Sequence, residues 1–218
     1  MTLVKVCGIT NLEDALAALA AGADMLGFNF YARSPRYVET AVAWRVIEHL
    51  PEGVECVGVF VNESSPEDVL EIARESGVSA VQLHGDETPE FCRALEGFTT
   101  IKALRVGRDY AVEKAAAFDT DAVLLDAFAP DAFGGTGHTF DWALARATRE
   151  AVPRLFLAGG LKPSNVAAAI DAVGPHAVDV CSGVETSPGR KSFQLMRDFV
   201  AAARKAGRMK DEGIADRK

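Results

Sequence analysis

Two segments of this chain end an apolar run on a side chain that can carry a proton. In residues 3–11 the run carries Cys7 and is interrupted at once by Gly8. In residues 122–126 four apolar residues are followed by Asp126. A thiolate can accept a proton and a carboxyl group can donate one, so Cys7 is a candidate general base and Asp126 a candidate general acid, its pKa raised by apolar neighbours. Each has a structural alternative, since a lone thiol is usually a small core residue and a strand-end carboxylate often neutralises an interior lysine.

Two turns built from small residues could hold an anion. Gly159 and Gly160 end one apolar run, and Ser182 and Gly183 end another. Small residues let backbone N–H groups approach a phosphate closely. The alternative is a pair of tight turns with no ligand.

A third glycine-rich segment spans residues 134–137 and includes Gly135. It lacks the Lys-Ser/Thr ending of a nucleotide-binding loop, and no helical run follows it directly. We interpret it as a mobile loop that borders the phosphate.

A loop arginine could hold a carboxylate. Arg36 lies between Pro35 and Tyr37, and its guanidinium can bind a carboxylate through two parallel hydrogen bonds. A solvated loop cation is the alternative, and Arg33 is the neighbouring candidate.

Bringing these groups together requires a regular architecture. Helical segments with capping signals separate eight apolar, β-rich runs. The runs are residues 3–9, 25–31, 56–61, 80–84, 100–106, 122–128, 155–161 and 177–184. Strict alternation implies a parallel sheet, and eight strand–helix units of about 27 residues predict a compact, single-domain (β/α)8 barrel of the α/β class. The rival, an open doubly wound sheet, is disfavoured because no Gly-x-Gly-x-x-Gly follows the first run. We expect the barrel to span residues 1–206 and residues 207–218 to form a frayed polar tail.

In such a barrel the active site lies at the rim formed by the carboxyl ends of the strands. The rim candidates are Cys7, Asn29, Arg36, His84, Arg105, Asp126, Gly159, Gly160, Ser182 and Gly183. Strand parity also places Lys5 and Lys102 inside the barrel. Because buried lysines need partners, we expect Asp126 and Asp179 to balance them.

The composition and charge of the chain limit the kinds of binding partner that are expected. The net charge of −8 argues against nucleic acid or an anionic membrane, but a local pocket can still bind an anionic small molecule. No run is long enough to span a bilayer and no secretory signal is present, so a cytoplasmic protein with four free thiols is expected. The four cysteines and four histidines are scattered, which argues against a metal site.

An ordered set of motifs covers the chain from residue 3 to about residue 195. They are Val-Cys-Gly-Ile-Thr-Asn, Gly-Phe-Asn-Phe-Tyr with Ser-Pro-Arg-Tyr-Val, Val-Gly-Val-Phe-Val-Asn, Val-Gln-Leu-His-Gly, Leu-Leu-Asp, Gly-Gly-Thr-Gly with Phe-Asp-Trp, Leu-Ala-Gly-Gly-Leu and Val-Asp-Val-Cys-Ser-Gly-Val-Glu. In these motifs the chain resembles the phosphoribosylanthranilate isomerase family. The resemblance implies a (β/α)8 enzyme of tryptophan biosynthesis that needs no cofactor. It would convert N-(5-phosphoribosyl)anthranilate to the 1-deoxyribulose 5-phosphate derivative by an Amadori rearrangement, as a monomer or homodimer.

The resemblance also implies residue roles. The catalytic pair falls on Cys7 as base and Asp126 as acid, and the anthranilate-binding arginine on Arg36. The remaining positions are substrate-binding Asp179, His84 and Asn29, and phosphate-binding Gly159, Gly160, Ser182, Gly183 and Gly135. Cys181 departs from the family pattern, which more often has serine there.

Two alternatives stay open. One is another sugar-phosphate isomerase or epimerase barrel, although the histidine-pathway type has a carboxylate where this chain has Cys7. The other is a non-catalytic barrel that binds a phosphorylated ligand, which would be expected to lack Cys7 or Asp126.

Overall fold

A closed barrel of eight parallel strands forms the centre of the molecule, which a computed structural model describes over residues 1–107, 110–126 and 142–215. The strands pair in chain order, and the last pairs with the first. They are β1 Leu3–Cys7, β2 Met25–Asn29, β3 Glu55–Phe60, β4 Ala80–Leu83, β5 Thr99–Arg105, β6 Ala122–Asp126, β7 Leu155–Ala158 and β8 Ala177–Val180. The predicted (β/α)8 fold is confirmed.

In the described part of the chain, eight helices surround the strands. They are α1 Leu12–Ala20, α2 Thr40–Ile47, α3 Pro66–Ser76, α4 Pro89–Arg93, α5 Val112–Ala116, α6 Trp142–Ala151, α7 Val166–Val173 and α8 Phe193–Ala215. A short 3-10 turn, Ser182–Val184, follows β8 and leads into a two-stranded ribbon, β9 Glu185–Ser187 and β10 Arg190–Lys191. No described helix is long and apolar enough to cross a membrane.

Side-chain caps fix where several helices begin. The side chains of Asn11, Ser65 and Thr88 each accept a hydrogen bond from the backbone N–H three residues further on. Such bonds satisfy amides that have no partner inside the helix. The local sequence therefore sets where these three helices begin.

The inside of the barrel changes character along its axis. Its lower part is a plug of apolar side chains that includes Met25, Ile101, Leu124 and Phe156. A second apolar layer fills the space between the strands and the helices. On β1 the inward-facing residues are Leu3, Lys5 and Cys7, so the inward-facing side chains become more polar toward the carboxyl end of the strand. The plug thus closes one end of the barrel, and the polar groups lie at the other end.

One of the two predicted lysine pairs is present. Lys5 Nζ lies 2.9 Å from Asp179 Oδ1, and the Lys5 side chain is completely buried. The two residues face each other in register on β1 and β8. This pair lies inside the barrel, as expected.

The prediction for Lys102 is wrong. In the register of the sheet Lys102 lies beside Leu83 and Val123, which belong to the outer apolar layer. Its ammonium group therefore lies between strands and helices, where it is 2.6 Å from Glu87 Oε2 and also binds the carbonyl oxygen of Gly85. Since both faces of a parallel strand are buried, the sequence of β5 does not show which face looks inward.

Helix α8 is longer than the sequence suggested. Its backbone continues helically to Ala215, through residues 207–215 that were expected to form a frayed tail. Met196, Phe199 and Ala203 on the same helix pack into the core. Residues 216–218 lie outside the described chain.

The buried Lys102–Glu87 pair should be important for stability. Glu87→Gln leaves a buried ammonium group without its carboxylate, so the free energy of unfolding should fall by about 3 kcal/mol in a urea titration. The control is Glu90→Gln, which removes an exposed pair with Arg93 and should leave stability nearly unchanged. Equal losses in the two variants would contradict this account.

Candidate active site

A cavity of about 320 Å³ opens at the carboxyl ends of the strands. The predicted site residues that line it are Cys7, Asn29, Arg36, His84, Asp126, Gly159, Gly160, Asp179 and Ser182. Other lining residues, not singled out as rim candidates, are Val59, Gln82, Ala158, Leu161 and Cys181. Predicted residues from six of the eight strand–loop units thus meet in one space.

Cys7 ends β1 and lies above the buried ammonium group of Lys5. A Cβ atom added at Gly27 on the neighbouring strand would lie 2.8 Å from Cys7 Sγ and 3.1 Å from Lys5 Nζ, so the two groups share the space that this glycine leaves. A hydrogen bond from the Cys181 thiol, aided by the positive charge of Lys5, outweighs the effect of burial and lowers the pKa of Cys7 to about 6. These surroundings therefore favour the thiolate form of Cys7.

Asp126 ends β6 on another wall of the cavity. His84 Nε2 lies 3.4 Å from Asp126 Oδ2, and His84 Nδ1 lies 3.1 Å from the amide nitrogen of Gln82. With the Gln82 amide next to Nδ1, the His84 ring presents Nε2 toward Asp126. Gln82 and His84 thereby hold the carboxyl group in place.

The side-chain oxygen of Gln82 also bears on what the cavity can bind. Its side chain is buried, and among the described residues its oxygen Oε1 has no hydrogen-bond partner. Buried polar atoms are nearly always paired, and Gln82 lines the cavity. The cavity therefore offers an acceptor to whatever fills it.

Arg36 is held by a carboxylate that the sequence analysis did not assign. Its Nε lies 2.9 and 3.1 Å from the two oxygens of Glu185, and its Nη2 lies 2.7 Å from Oε2. This hydrogen-bonded pair raises the pKa of Arg36. Nη1 takes no part in the pair, and the side chain lines the cavity.

Lys191 joins this pair to the ends of the first and last strands. Its ammonium group lies 2.8 Å from Glu185 Oε1 and donates to the backbone carbonyl oxygens of Cys7 and Cys181. The side chain is fully buried. Neither Lys191 nor the role of Glu185 could be read from the sequence, because both depend on contacts between distant segments; the only signal was the position of Glu185 just after the Ser-Gly turn.

The two small-residue turns border the cavity in different ways. Gly159 and Gly160 have φ values of 88° and 64°, a left-handed backbone that other residues rarely adopt. Gly183 instead packs so tightly that a Cβ atom there would collide with the carbonyl oxygen of Leu161. Gly183 therefore lies against Leu161 on the side of the turn that faces away from the cavity, while Ser182 lines the cavity.

Comparison with known proteins identifies the family. A family model described as N-(5'-phosphoribosyl)anthranilate isomerase matches residues 4–202. The chain belongs to this family. The isomerase of Trichlorobacter lovleyi is 48% identical over 206 residues, which cover 94% of this chain and all of that one.

Two solved structures of this isomerase family also resemble the chain. One, in complex with reduced 1-(o-carboxyphenylamino)-1-deoxyribulose 5-phosphate, has a TM-score of 0.85 and 44% identity and covers 94% of this chain and all of that one. The other, of monomers of the dimeric isomerase from Thermotoga maritima, has a TM-score of 0.84 and 44% identity over the same shares. The chain is thus an isomerase, and its predicted place in tryptophan biosynthesis is confirmed at the level of the family.

Two predicted positions of this isomerase among the described residues do not line the cavity. Gly183 lies behind its turn, and the side chain of Arg105 is exposed. Gly135 lies outside the described residues. Among the described residues, no group of three or more His, Cys, Asp or Glu side chains is placed to hold a metal ion.

The low pKa of Cys7 can be measured without substrate. Its rate of alkylation by iodoacetamide should rise with pH and level off above a midpoint near pH 6, because only the thiolate reacts. Lys5→Met should move this midpoint upward, since it removes a nearby positive charge. A midpoint near the ordinary thiol value of about 8.5 in the unaltered protein would contradict the proposed stabilisation of the thiolate.

Proposed function

We propose that this isomerase converts N-(5-phospho-β-D-ribosyl)anthranilate to 1-(2-carboxyphenylamino)-1-deoxy-D-ribulose 5-phosphate without a cofactor, with Asp126 as general acid and Cys7 as general base. One observation carries the proposal: a thiol of low pKa and a carboxyl group face one cavity from β1 and β6. Between these walls lie β7 and β8, whose turns border the same cavity. A related isomerase has been solved with a reduced carboxyphenylamino deoxyribulose phosphate, which supports this substrate class.

The reaction needs two proton transfers at different atoms. Protonated Asp126 donates to the furanose ring oxygen as the bond from that oxygen to C1 breaks, which leaves a Schiff base between C1 and the anthranilate nitrogen. The Cys7 thiolate then removes the proton from C2, and the electrons move toward nitrogen to give an enolamine. The enolamine tautomerises to the ketone. Acid and base on separate walls suit this chemistry, because the two protons lie on different sides of the sugar.

The phosphate end of the substrate fits the turns after β7 and β8. Gly159, Gly160 and Ser182 border the cavity, and their backbone N–H groups are free of bulky side chains. A phosphate fixed here would place the sugar carbons between Asp126 and Cys7.

The anthranilate end fits Arg36. Glu185 binds Nε and Nη2 of this residue, so Nη1 is the group that would meet the substrate carboxylate. Because the guanidinium group is already oriented, little side-chain entropy is lost on binding. Asp179, His84 and Asn29 line the cavity between the two ends and complete the proposed contacts with the substrate.

Loss of either proton-transfer group should nearly abolish turnover. Cys7→Ser and Asp126→Asn should each reduce kcat by about 10²-fold or more, because general acid–base catalysis contributes that much. The assay follows the loss of phosphoribosylanthranilate fluorescence, and circular dichroism checks that each variant is folded. Near-native turnover in either folded variant would refute the role assigned to that residue.

Arg36 should act on binding more than on chemistry. Arg36→Ala should raise KM by about 10- to 100-fold, the usual effect of losing a charged hydrogen bond, and should change kcat less. Glu185→Gln should raise KM in the same direction, because it loosens the guanidinium group. The control is Arg33→Ala in the same loop, whose side chain is exposed. An unchanged KM in Arg36→Ala would count against the assignment.

A further inference from the structure

Two cysteines lie side by side where the first and last strands end. Lys5 pairs with Asp179 and Val6 with Val180, so the next step of the register brings Cys7 opposite Cys181. Neighbouring strands lie about 4.8 Å apart. A disulfide accepts Cα separations of about 4.4 to 6.8 Å, a range that includes this strand spacing.

The side chains are oriented for contact as well. Both thiols line the same cavity. A Cβ atom added at Gly8 would lie 3.0 Å from Cys181 Sγ, so this sulfur lies over the backbone that directly follows Cys7. Lys191 binds the carbonyl oxygens of both cysteines and holds the two strand ends together.

The other two cysteines of the chain provide a contrast. Cys56 and Cys92 are buried away from this cavity, and burial raises the pKa of Cys56 to about 12 and that of Cys92 to about 11. Thiols of this kind react slowly with oxidants, whereas a thiolate that a small molecule can reach is the usual target. Cys7 meets both conditions because it lines the open cavity.

We propose that Cys7 and Cys181 form an oxidation site at which a peroxide produces a reversible disulfide. The Cys7 thiolate attacks one peroxide oxygen, the O–O bond breaks, and hydroxide leaves, which gives a sulfenic acid. Cys181 then attacks the sulfur of Cys7; its proton and the sulfenic hydroxyl group leave as water. In total, two thiols and one hydrogen peroxide become one disulfide and two waters, and a dithiol restores the thiols.

This disulfide would stop the isomerase reaction, a consequence that rests on the proposed role of Cys7 as base. The sulfur of Cys7 would be covalently blocked and could no longer take the proton from C2. Serine in place of Cys181 would leave the base but remove the partner that rescues its sulfenic acid. The thiol of Cys181 therefore allows oxidised Cys7 to form a disulfide, which a dithiol can reduce.

Peptide mapping tests the bond itself. After brief treatment with hydrogen peroxide and digestion by trypsin without reductant, peptides 6–33 and 155–190 should appear cross-linked, two hydrogens lighter than their sum. Each of these peptides contains a single cysteine. Dithiothreitol should separate them. Oxidation of Cys7 to sulfinic acid without any cross-linked peptide would overturn the proposal.

Matched variants connect the bond to turnover. The unaltered protein and Cys92→Ser should lose about 10²-fold or more of their own untreated turnover, and dithiothreitol should restore it. Cys181→Ser should also lose turnover but should recover little, because its sulfenic acid proceeds to the irreversible sulfinic acid. Equal recovery in Cys181→Ser and the unaltered protein would contradict the oxidation site. A cross-linked protein with full turnover would support the site and refute Cys7 as the base.

Discussion

The ion pair between Lys5 and Asp179 lies beneath the cavity and on the seam where the first and last strands meet. Its ammonium group is completely buried, with a carboxylate oxygen 2.9 Å away. Removing one partner of such a pair is strongly destabilising, because the remaining charge is left without compensation. The pair therefore couples closure of the barrel to the electrostatics of the site: when the seam is closed, the same ammonium group favours the thiolate form of Cys7 above it.

Alternating charges continue from this pair to the rim. Lys191, Glu185 and Arg36 form a chain of contacts in which two cations share one carboxylate. These three side chains carry a net charge of +1 although the whole protein carries a net charge of −8. Local placement of charge rather than the overall balance thus makes the cavity suitable for an anionic ligand.

The sequence predicted the features that are local or that follow from counting. Eight apolar runs predicted the barrel, and the positions of Cys7 and Asp126 at strand ends predicted that both would reach the rim. It failed for Lys102, because a strand buried on both faces gives no sign of which side looks inward. It could not predict how Glu185 and Lys191 would contact Arg36 and Cys7, because those contacts join segments about 150 to 185 residues apart along the chain.

The seam described above also sets an order of events during synthesis. Cys7 leaves the ribosome about 170 residues ahead of Asp179, Cys181 and Lys191. Until then β8 cannot pair with β1, and Cys7 lacks the neighbouring Cys181 and Lys191 that help to lower its pKa. The growing chain therefore carries an ordinary thiol, and its reactive form arises only in the finished barrel.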